Sequence, residues 1–306
     1  MSILMIEPIA FGFNVQTAAN NYFQQNDNSA AEHIQQKALQ EFTAMVKKLR
    51  SHKIDVIVVK DTAQPHTPDS IFPNNWVSFH ANGSVVLYPM FAENRRLERR
   101  EDILNRFQSV GYQINEIVDF SNYEKENIFL EGTGSMIFDR EKGIAYAAIS
   151  QRTDENLFFK FCKKMYFVPV VFSSFQTVGN ERLPIYHTNV MMCVGDKYAV
   201  VCLDTIDKNA EKELVKSMLE KTQKTIVEIS EKQMHSFAGN MLQVENSESK
   251  KFLVMSQTAY NSLNSKQIEV LQGFNEIITV EIPTIEKYGG GSARCMMAEV
   301  FLPKRV

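Results

Sequence analysis

The sequence of 306 residues has few cysteines, no long apolar run and little net charge. Its four cysteines form no CxxC pair and no regular framework, which predicts free thiols rather than disulfides. No pair of histidines has the spacing of a helical metal site, and we expect neither a metal nor a cofactor. No stretch is long and apolar enough to span a bilayer, and a net charge of −3 provides no field that attracts nucleic acid. We therefore expect neither a membrane nor a nucleic acid as partner.

The first residues, MSILMIEPIAFGF, have no basic flank before their apolar part and no small-residue cleavage site. They are typical of a first strand rather than a signal peptide, and we expect a cytoplasmic protein. The amide-rich stretch NNYFQQNDNSA, residues 20–30, is compatible with a loop that orders over a ligand and equally with disorder. The pattern leaves the oligomeric state open, a homodimer included.

One order of elements, strand, strand, helix and strand, recurs along the chain about every fifty residues. In the first full copy, two apolar runs flank an Asn82-Gly83 turn, a helix is predicted over 95–112, and QINEIVDF is the last strand. The helices of the next three copies are predicted over 154–166, 210–223 and 266–274. The fifth copy is split, with CMMAEVFL near the end and SILMIEP, a helix over 30–53 and DVIVVKD at the start.

A unit of three strands and one helix cannot bury its own apolar faces, so the copies must pack on each other. Joining the split copy would remove the open edges. The pattern therefore predicts an α/β fold in the form of a closed five-bladed propeller, as one domain over residues 1–306. A doubly wound sheet needs regular alternation of strand and helix, and the four hairpins argue against it.

The segment before each unit's first strand carries the unusual residues: PDSIFPNNW, FLEGTGSM, LPIYHTNVMM, MHSFAGNMLQ and GGGSARCMM. Units related by rotation place equivalent positions around one axis, so Glu131, His187 and Cys295 would meet in a central pocket. A thiol with a pKa of about 8.5 is mostly protonated at neutral pH. A histidine beside it can stabilise the thiolate and pass a proton to a leaving amine, and Glu131 would orient the imidazole or bind a substrate nitrogen. The glycines before Cys295 would let the backbone approach a ligand.

Each of these three residues also has a structural interpretation. A cysteine that leads a strand is commonly a core residue, a histidine before a buried strand is commonly a hydrogen-bonded polar residue, and Glu131 before Gly-Thr-Gly is compatible with a turn. Their shared position in the repeat favours the catalytic interpretation. The other cysteines and histidines lack that support, and we interpret them as structural: Cys162, Cys193, Cys202, His33, His52, His66, His80 and His235.

These motifs resemble the pentein, or guanidino-group-modifying, superfamily of arginine deiminases, amidinotransferases and dimethylarginine dimethylaminohydrolases. The resemblance is closest to the last family, covers nearly the whole chain, and rests on seven motifs in the correct order. It implies a nucleophile at Cys295 in SARC, a catalytic histidine at His187 in YHTN and a retained acid at Glu131 in LEGTG. It also implies a set of substrate-binding positions: Asp69 in PDSIF, Asn74 and Asn75 after FP, Arg95 in NRR, Arg152 in SQRTDEN, and Asn189 after the histidine.

The resemblance implies a two-step reaction. The cysteine attacks the central carbon of a guanidinium, an amine leaves, and water releases the covalent intermediate. Arg95 and Arg152 would hold the carboxylate of an amino-acid substrate, because a guanidinium fork can bind it with two parallel bonds. Solvated surface roles are the alternative for both arginines.

The sequence departs from the family pattern where negative charge is expected. Asn74 and Asn75 replace two acids, Gly134 replaces the last acid of its motif, and Asn189 stands where arginine deiminases carry a carboxylate. Amides both donate and accept, so they suit a neutral ureido group, whereas a buried cation needs the carboxylates. We therefore expect a citrulline-like substrate, hydrolysed to ornithine, ammonia and carbon dioxide as in the related citrulline utilisation hydrolases.

Three alternatives remain open. Asp69 and Glu131 could suffice for a guanidinium, in which case the substrate is arginine or a methylated arginine. The chain could transfer an amidino group to an amine acceptor. It could also bind a ligand without catalysis, since this propeller occurs in a ribosome-assembly factor.

Overall fold

The computed structural model describes residues 1–27 and 29–305, and these form an α/β fold of short mixed sheets. The strands are β1 (Ser2–Glu7), β2 (Asp55–Lys60), β3 (Val77–Phe79), β4 (Ser84–Leu87), β5 (Glu116–Asp119), β6 (Met136–Asp139), β7 (Ile144–Ile149), β8 (Val168–Ser173), β9 (Phe175–Val178), β10 (Glu181–Pro184), β11 (Met192–Val194), β12 (Tyr198–Val201), β13 (Thr225–Glu228), β14 (Leu242–Glu245), β15 (Lys251–Ser256), β16 (Glu276–Val280) and β17 (Ala298–Val300). The helices are α1 (Val15–Ala18), α2 (Ala31–Ser51), α3 (Glu93–Arg96), α4 (Glu101–Ser109), α5 (Gly132–Ser135), α6 (Glu155–Met165), α7 (Asn209–Lys221), α8 (Glu231–His235), α9 (Gln257–Ser262), α10 (Ser265–Gln272) and α11 (Pro283–Gly289).

The described strands repeat one pairing pattern in five groups. In each group the first strand pairs antiparallel with the second, and the second pairs parallel with the third. The groups are β3–β4–β5, β6–β7–β8, β11–β12–β13, β14–β15–β16 and, across the two ends of the chain, β17–β1–β2. A parallel third strand requires a crossover, which the intervening helix supplies. The repeating unit and the split fifth copy are both present.

Strand pairing does not close the five groups into a ring. β17 pairs with β3 at Val300 and Phe79, which joins two groups into a six-stranded sheet, while the described strands of the other three groups form separate sheets. The predicted α/β class is therefore confirmed. The strand pairing does not show the predicted closed five-bladed propeller.

One predicted helix is wrong, and one hairpin was missed. The helix expected over 95–112 is two helices, α3 and α4, separated where Arg100 takes extended backbone (φ −113°, ψ 114°). The break follows from burial, because Arg95 and Glu98 turn inward and pair with each other instead of continuing a solvated helix face. The hairpin β9–β10 lies outside the repeat.

The helices cover the sheets through one apolar face each. α2 buries Ile34, Phe42, Met45 and Leu49 against the split group, and each such side chain contributes about 1.5–3 kcal/mol of hydrophobic free energy. Asp154 is the N-cap residue of α6, and its side chain accepts a hydrogen bond from the backbone amide of Leu157. Among the described helices, none combines the length and hydropathy of a membrane span.

Candidate active site

Three of the segments that precede a first strand enclose one narrow cavity. Six of the sequence-predicted residues line it: Asp69, Asn75, Arg95, Arg152, His187 and Cys295. Its free volume is about 10 Å³, which is room for about one water molecule. Glu131 and Asn189 do not line the cavity but contact residues that do. The structure therefore gathers side chains that are far apart in sequence, in a closed state.

Glu131 is a buried carboxylate that holds His187. Its Oε2 lies 2.7 Å from His187 Nε2, and its Oε1 accepts a 2.8 Å hydrogen bond from the amide of Phe91. Arg152 Nη1 lies 3.5 Å from the same Oε2. Burial alone would raise the pKa of Glu131, but Arg152 and His187 outweigh it and lower that pKa to about 2. Glu131 is therefore ionised at neutral pH.

His187 is held as a neutral imidazole. Burial lowers the pKa of His187 to about 4, against the opposing effect of Glu131. With Glu131 ionised, His187 Nε2 carries the proton and donates to Glu131 Oε2. The second ring nitrogen, Nδ1, is then unprotonated, so His187 can accept a proton at the cavity.

Cys295 receives two side-chain amide donors. Asn189 Nδ2 and Asn240 Nδ2 each lie 3.3 Å from its sulfur. Asn240 is itself fixed, because its Oδ1 accepts from the backbone amide of Arg294 at 3.1 Å and its Nδ2 also donates to the Asn189 carbonyl oxygen at 3.0 Å. N–H donors stabilise the charge of a thiolate, the nucleophilic form of cysteine.

The other three cysteines have no such environment. Cys162, Cys193 and Cys202 are buried and free, and burial raises the pKa of each thiol to about 12. They lie in apolar clusters with aromatic and aliphatic neighbours. This agrees with their interpretation as small core residues.

All three guanidinium nitrogens of Arg95 already have hydrogen-bond acceptors within the protein. Its Nε and Nη2 bind the two carboxylate oxygens of Glu98 at 2.9 Å each, and its Nη1 donates to Asn75 Oδ1 at 2.8 Å. Burial raises the pKa of Glu98 to about 7. A substrate carboxylate can reach the Arg95 fork only if Glu98 gives way.

Arg152, the other predicted carboxylate ligand, is as buried as Arg95 but has no bidentate carboxylate partner. Its Nε and Nη2 contact Asn20 Oδ1, and Nη2 donates to the Thr17 carbonyl oxygen at 2.8 Å. The guanidinium also lies over the rings of Phe91 and Tyr186, with centroids 5.7 and 5.0 Å away. The partners of Nε and Nη2 both come from the N-terminal segment, so movement of that segment would free this edge of the guanidinium while Nη1 stays beside Glu131.

Two of the lining residues present unpartnered polar atoms. Asp69 Oδ2 accepts from Asn14 Nδ2 and Thr17 Oγ1, whereas Asp69 Oδ1 has no partner among the described residues. Asn75 Oδ1 is used by Arg95, whereas Asn75 Nδ2 has none in that same part of the chain. Two residues of the cavity wall thus carry one unpartnered acceptor and one unpartnered donor. Burial raises the pKa of Asp69, against the opposing effect of Arg95.

The substrate-binding hypothesis expects Asn74 and Asn189 to contact the cavity, but neither residue lines it. Asn74 Nδ2 donates to Thr133 Oγ1 at 3.2 Å, so it ties the first repeat to the segment after Glu131. Asn189 contacts the Cys295 sulfur instead of lining the cavity. The neutral side chains are present, but only Asn75 faces the space where a substrate would lie.

The glycines around the site make room for side chains. A Cβ on Gly289 would lie 2.7 Å from the Phe72 ring, and one on Gly290, at φ +62°, would lie 2.6 Å from the Asn21 amide. The triplet before Cys295 is thus explained by close packing of Phe72 and Asn21. Gly289 and Gly291 also line the cavity, so at these two glycines the backbone could approach a ligand as expected.

The N-terminal segment closes the site. Asn21 Nδ2 donates to the carbonyl oxygens of Gly289 and Gly290 at 3.4 Å, and Gln24 Nε2 donates to that of Tyr288 at 2.9 Å. Most of the amide-rich stretch is therefore ordered over the site. Its residue Asn28 lies outside the described residues.

Several site residues were missed by the sequence argument. Asn240 belongs to MHSFAGNMLQ, a leading segment in which only His235 had been named, as a structural residue, so the position of Asn240 in the repeat was an available signal. Glu98 follows Arg95 at a helical i, i+3 spacing, which favours pairing. Tyr186 directly precedes His187 and donates to the Gly290 carbonyl oxygen at 2.6 Å, a contact that no local pattern predicts.

Replacement of Gly134 by alanine is expected to destabilise the fold by about 1–3 kcal/mol through overpacking. A Cβ there would lie 2.4 Å from Asn75 Nδ2 and 2.7 Å from the His187 ring, both of which are buried. Urea unfolding measures the effect. Gly12→Ala is the matched control, because no atom lies within 4 Å of its Cβ position. Equal stability of the Gly134 variant and the wild type would contradict the packing described here.

The protonation of His187 is expected to make stability depend on pH. Its pKa is about 4 in the folded state and about 6.5 when unfolded, so the unfolded state binds the extra proton as pH falls below 6.5. The free energy of unfolding should therefore drop by about 2 kcal/mol between pH 6.5 and 4.5, relative to His187→Gln. Unfolding of both proteins across this range gives the difference. His33→Gln, on the exposed face of α2, is the control. If His33→Gln differed from the wild type by the same amount over this pH range, the pH dependence could not be assigned to His187.

The described residues contain no group of three or more histidine, cysteine, aspartate or glutamate side chains arranged to hold a metal ion. The polar groups at the cavity are amides, guanidinium groups, the His187 imidazole, the Cys295 thiol and one unpartnered carboxylate oxygen, which is an acceptor. This set suits a polar organic ligand.

A family model matches nearly the whole chain. The family is described as N,N dimethylarginine dimethylhydrolase, eukaryotic, and the match covers residues 7–302. No curated protein sequence matches the chain.

Solved structures of low sequence identity have the same fold. ArgZ, an arginine dihydrolase from the ornithine-ammonia cycle in cyanobacteria, superposes with a TM-score of 0.74 and 17% identity over 99% of this chain and 41% of that chain. The N-terminal domain of ArgZ bound to substrate gives a TM-score of 0.72 and 17% identity over 98% of this chain and 99% of the domain. A dimethylarginine dimethylaminohydrolase adduct with S-methyl-L-thiocitrulline gives 0.64 and 15% identity over 97% of this chain and 98% of that chain. The chain thus spans about two fifths of full-length ArgZ.

Proposed function

The chain belongs to the eukaryotic N,N dimethylarginine dimethylhydrolase family, a family of hydrolases that act on carbon–nitrogen bonds, and from this premise we propose its substrate and mechanism. The substrate is an arginine-related amino acid, and the scissile bond is at its ureido or guanidino carbon. Citrulline is the preferred substrate, and ornithine, ammonia and carbon dioxide are the products.

The orientation of Asn75 is the observation that supports a ureido substrate. Arg95 can only donate, so Asn75 must offer it Oδ1, which turns Asn75 Nδ2 into the unpartnered donor at the cavity. A ureido oxygen accepts from that donor, and the ureido N–H groups donate to Asp69 Oδ1. A guanidinium has only donors, so it would leave Asn75 Nδ2 unsatisfied in a buried site, at a cost of about 1–3 kcal/mol.

The proposed roles follow the contacts. The Cys295 thiolate, held by Asn189 and Asn240, adds to the ureido carbon. His187 takes the thiol proton at Nδ1 and delivers it to the leaving nitrogen, while ionised Glu131 holds the imidazole in place. Arg152 binds the substrate carboxylate after the N-terminal segment has moved away. Arg95 contributes to carboxylate binding only if Glu98 releases it.

The proposed reaction balances with one water molecule. Sulfur bonds to the ureido carbon, the terminal C–N bond breaks, and ammonia leaves with the proton from His187. The resulting thiocarbamate is attacked by water, which releases the thiol and a carbamic acid. The carbamic acid loses carbon dioxide and leaves ornithine.

The unpartnered Asp69 Oδ1 favours a second candidate, a guanidino substrate such as arginine or dimethylarginine. A buried carboxylate oxygen without a partner suits a cation. In this alternative the solved relative named an arginine dihydrolase would be the functional analogue. Arginine and two water molecules would then give ornithine, carbon dioxide and two molecules of ammonia.

A substrate panel separates these functions. Citrulline, arginine and asymmetric dimethylarginine are supplied singly, and ornithine, citrulline, ammonia and dimethylamine are measured. The proposal expects ornithine and one equivalent of ammonia from citrulline. Persistence of citrulline, together with turnover of arginine or dimethylarginine, would favour the guanidino substrate. Turnover only with an added amine acceptor would indicate an amidinotransferase, and no turnover at all would leave a binding protein.

We also propose that the five strand groups form a single domain that closes as a five-bladed propeller. Support comes from the identical pairing in each group and from the convergence of three leading segments on one cavity.

A further inference from the structure

A second, larger cavity lies at the far ends of the strands that follow the candidate catalytic residues. Its volume is about 640 Å³, within the usual range for small-molecule sites. Its wall includes the ends of three first strands, at Asp139, Val194 and Val300, as well as residues of β14. Glu131, His187 and Cys295 precede the same strands. We call this space the distal cavity.

One cluster in the wall of the distal cavity has an unbalanced positive charge, although the whole lining contains six acidic and four basic side chains. Arg140 and Arg294 both line the cavity and share one carboxylate, Glu299. Glu299 Oε2 accepts a 3.0 Å hydrogen bond from Arg294 Nη2, whereas Glu299 Oε1 lies 3.7 Å from Arg140 Nε, too far for a hydrogen bond. The nearby Asp139 does not compensate, because its Oδ2 pairs with Lys224 Nζ at 2.9 Å. Two guanidinium groups and one carboxylate leave a net charge of about +1 in this cluster.

Arg140 also has unused hydrogen-bond donors. Its Nε and Nη2 are buried and have no partner within residues 1–27 and 29–305. Its third nitrogen, Nη1, lies 3.5 Å from His80 Nδ1, and burial lowers the pKa of His80 to about 3, so His80 is a neutral acceptor. The guanidinium lies over the rings of Phe301 and Phe138, with centroids 4.3 and 5.0 Å away. Nε and Nη2 form one edge of a planar fork, the geometry that binds a carboxylate with two bonds.

We propose that the distal cavity binds a small monocarboxylate whose two oxygens bind the Nε and Nη2 edge of Arg140. One negative charge neutralises the cluster, and a planar group matches the fork. The hydrocarbon part of the ligand lies against the apolar wall formed by Ile137, Leu242, Val300 and Leu302. Nε and Nη2 are buried in this structure, so the proposed binding requires the 21% exposed Arg140 side chain to rotate and turn this edge toward the ligand.

The distal site is distinct from the candidate active site. None of its lining residues lines the cavity that contains Cys295. Arg294 connects the two, since its side chain lies at the distal cavity and its backbone amide donates to Asn240, which holds the Cys295 sulfur. The proposal does not depend on the reaction proposed for Cys295.

Binding of benzoate and hexanoate to the intact chain, measured by titration calorimetry, tests the proposal. The neutral amides benzamide and hexanamide are the matched controls. We expect saturable binding of at least one carboxylate and at least about tenfold weaker binding of its amide. Arg140→Gln should weaken carboxylate binding at least about tenfold, and Arg140→Lys, which keeps the charge but loses the fork, should also weaken it. Thermal unfolding of each variant verifies that it is folded.

Arg152→Lys distinguishes the two cavities, because Arg152 is the proposed carboxylate ligand of the candidate active site and lines that cavity. Carboxylate binding that survives in Arg152→Lys and is weakened in both Arg140 variants would support the distal site. Binding lost only in Arg152→Lys would place the carboxylate at the other cavity and overturn the proposal. Unchanged affinity in folded Arg140 variants, or no saturable binding of either carboxylate up to about 10 mM, would also overturn it.

Discussion

Cys295→Ala is expected to abolish turnover, with a loss in kcat of about four orders of magnitude or more, as for other nucleophile replacements. Within the part of the chain that the structure describes, only this thiol combines a place at the cavity with two amide donors on its sulfur. Intact-protein mass spectrometry during turnover of a slow substrate should show a transient adduct on the wild type and none on the variant. The variant should remain folded, because the substitution removes one small buried group.

Cys162→Ala is the matched control for loss of a buried thiol. Cys162 lies in an apolar cluster around α6, and its replacement should affect stability while the adduct still forms. Turnover that persists in Cys295→Ala would exclude covalent catalysis through this sulfur. An adduct found on Cys162, Cys193 or Cys202 would reassign the nucleophile.

Asn75→Asp is expected to shift the ratio of kcat/KM for citrulline over arginine toward arginine by about 10²–10³-fold. Arg95 would still receive one carboxylate oxygen, while the other would replace the donor at the cavity. A ureido oxygen then meets an acceptor, and a guanidinium gains a second anion beside Asp69. Steady-state kinetics with both substrates give the ratio, in which any loss of folded protein cancels.

Asn74→Asp is the control for this substitution. It makes the same chemical change at the neighbouring residue, whose side chain contacts Thr133 instead of the cavity. The ratio should therefore change little in Asn74→Asp. A similar shift in both variants would mean that general electrostatics, and not the donor of Asn75, determines the preference.

The architecture was predictable from the sequence because each unit carries local signals of its own. The Asn82-Gly83 turn predicts the β3–β4 hairpin, where Gly83 has φ +82°, and helix bounds such as Glu155–Met165 lie within a residue or two of the predicted ones. The prediction of one helix over 95–112 was wrong, because it assumed that the mixed run of charges forms a solvated helix face. No local pattern indicates that Arg95 and Glu98 are buried as a pair.

The candidate site was predictable in its positions but not in its hydrogen bonds. The position of each residue in the repeat was enough to place His187 and Cys295 at one cavity. Which atom an amide presents depends on partners elsewhere in the chain, as Asn75 shows with Arg95 and Asn189 with Cys295. The role of Asn240 and the closure by Asn21 depend in the same way on tertiary contacts between distant segments.

The group β17–β1–β2 has a consequence for the order of events during biosynthesis. β1 pairs with β17 through Ser2–Leu4 and Ala298–Val300, so β1 acquires its antiparallel neighbour only after the other four strand groups have been translated. Cys295 lies just ahead of β17 and is translated after the other candidate catalytic residues. Until the segment that contains Cys295 has been translated, the candidate site lacks its thiol, so the chemistry proposed for this sulfur cannot begin.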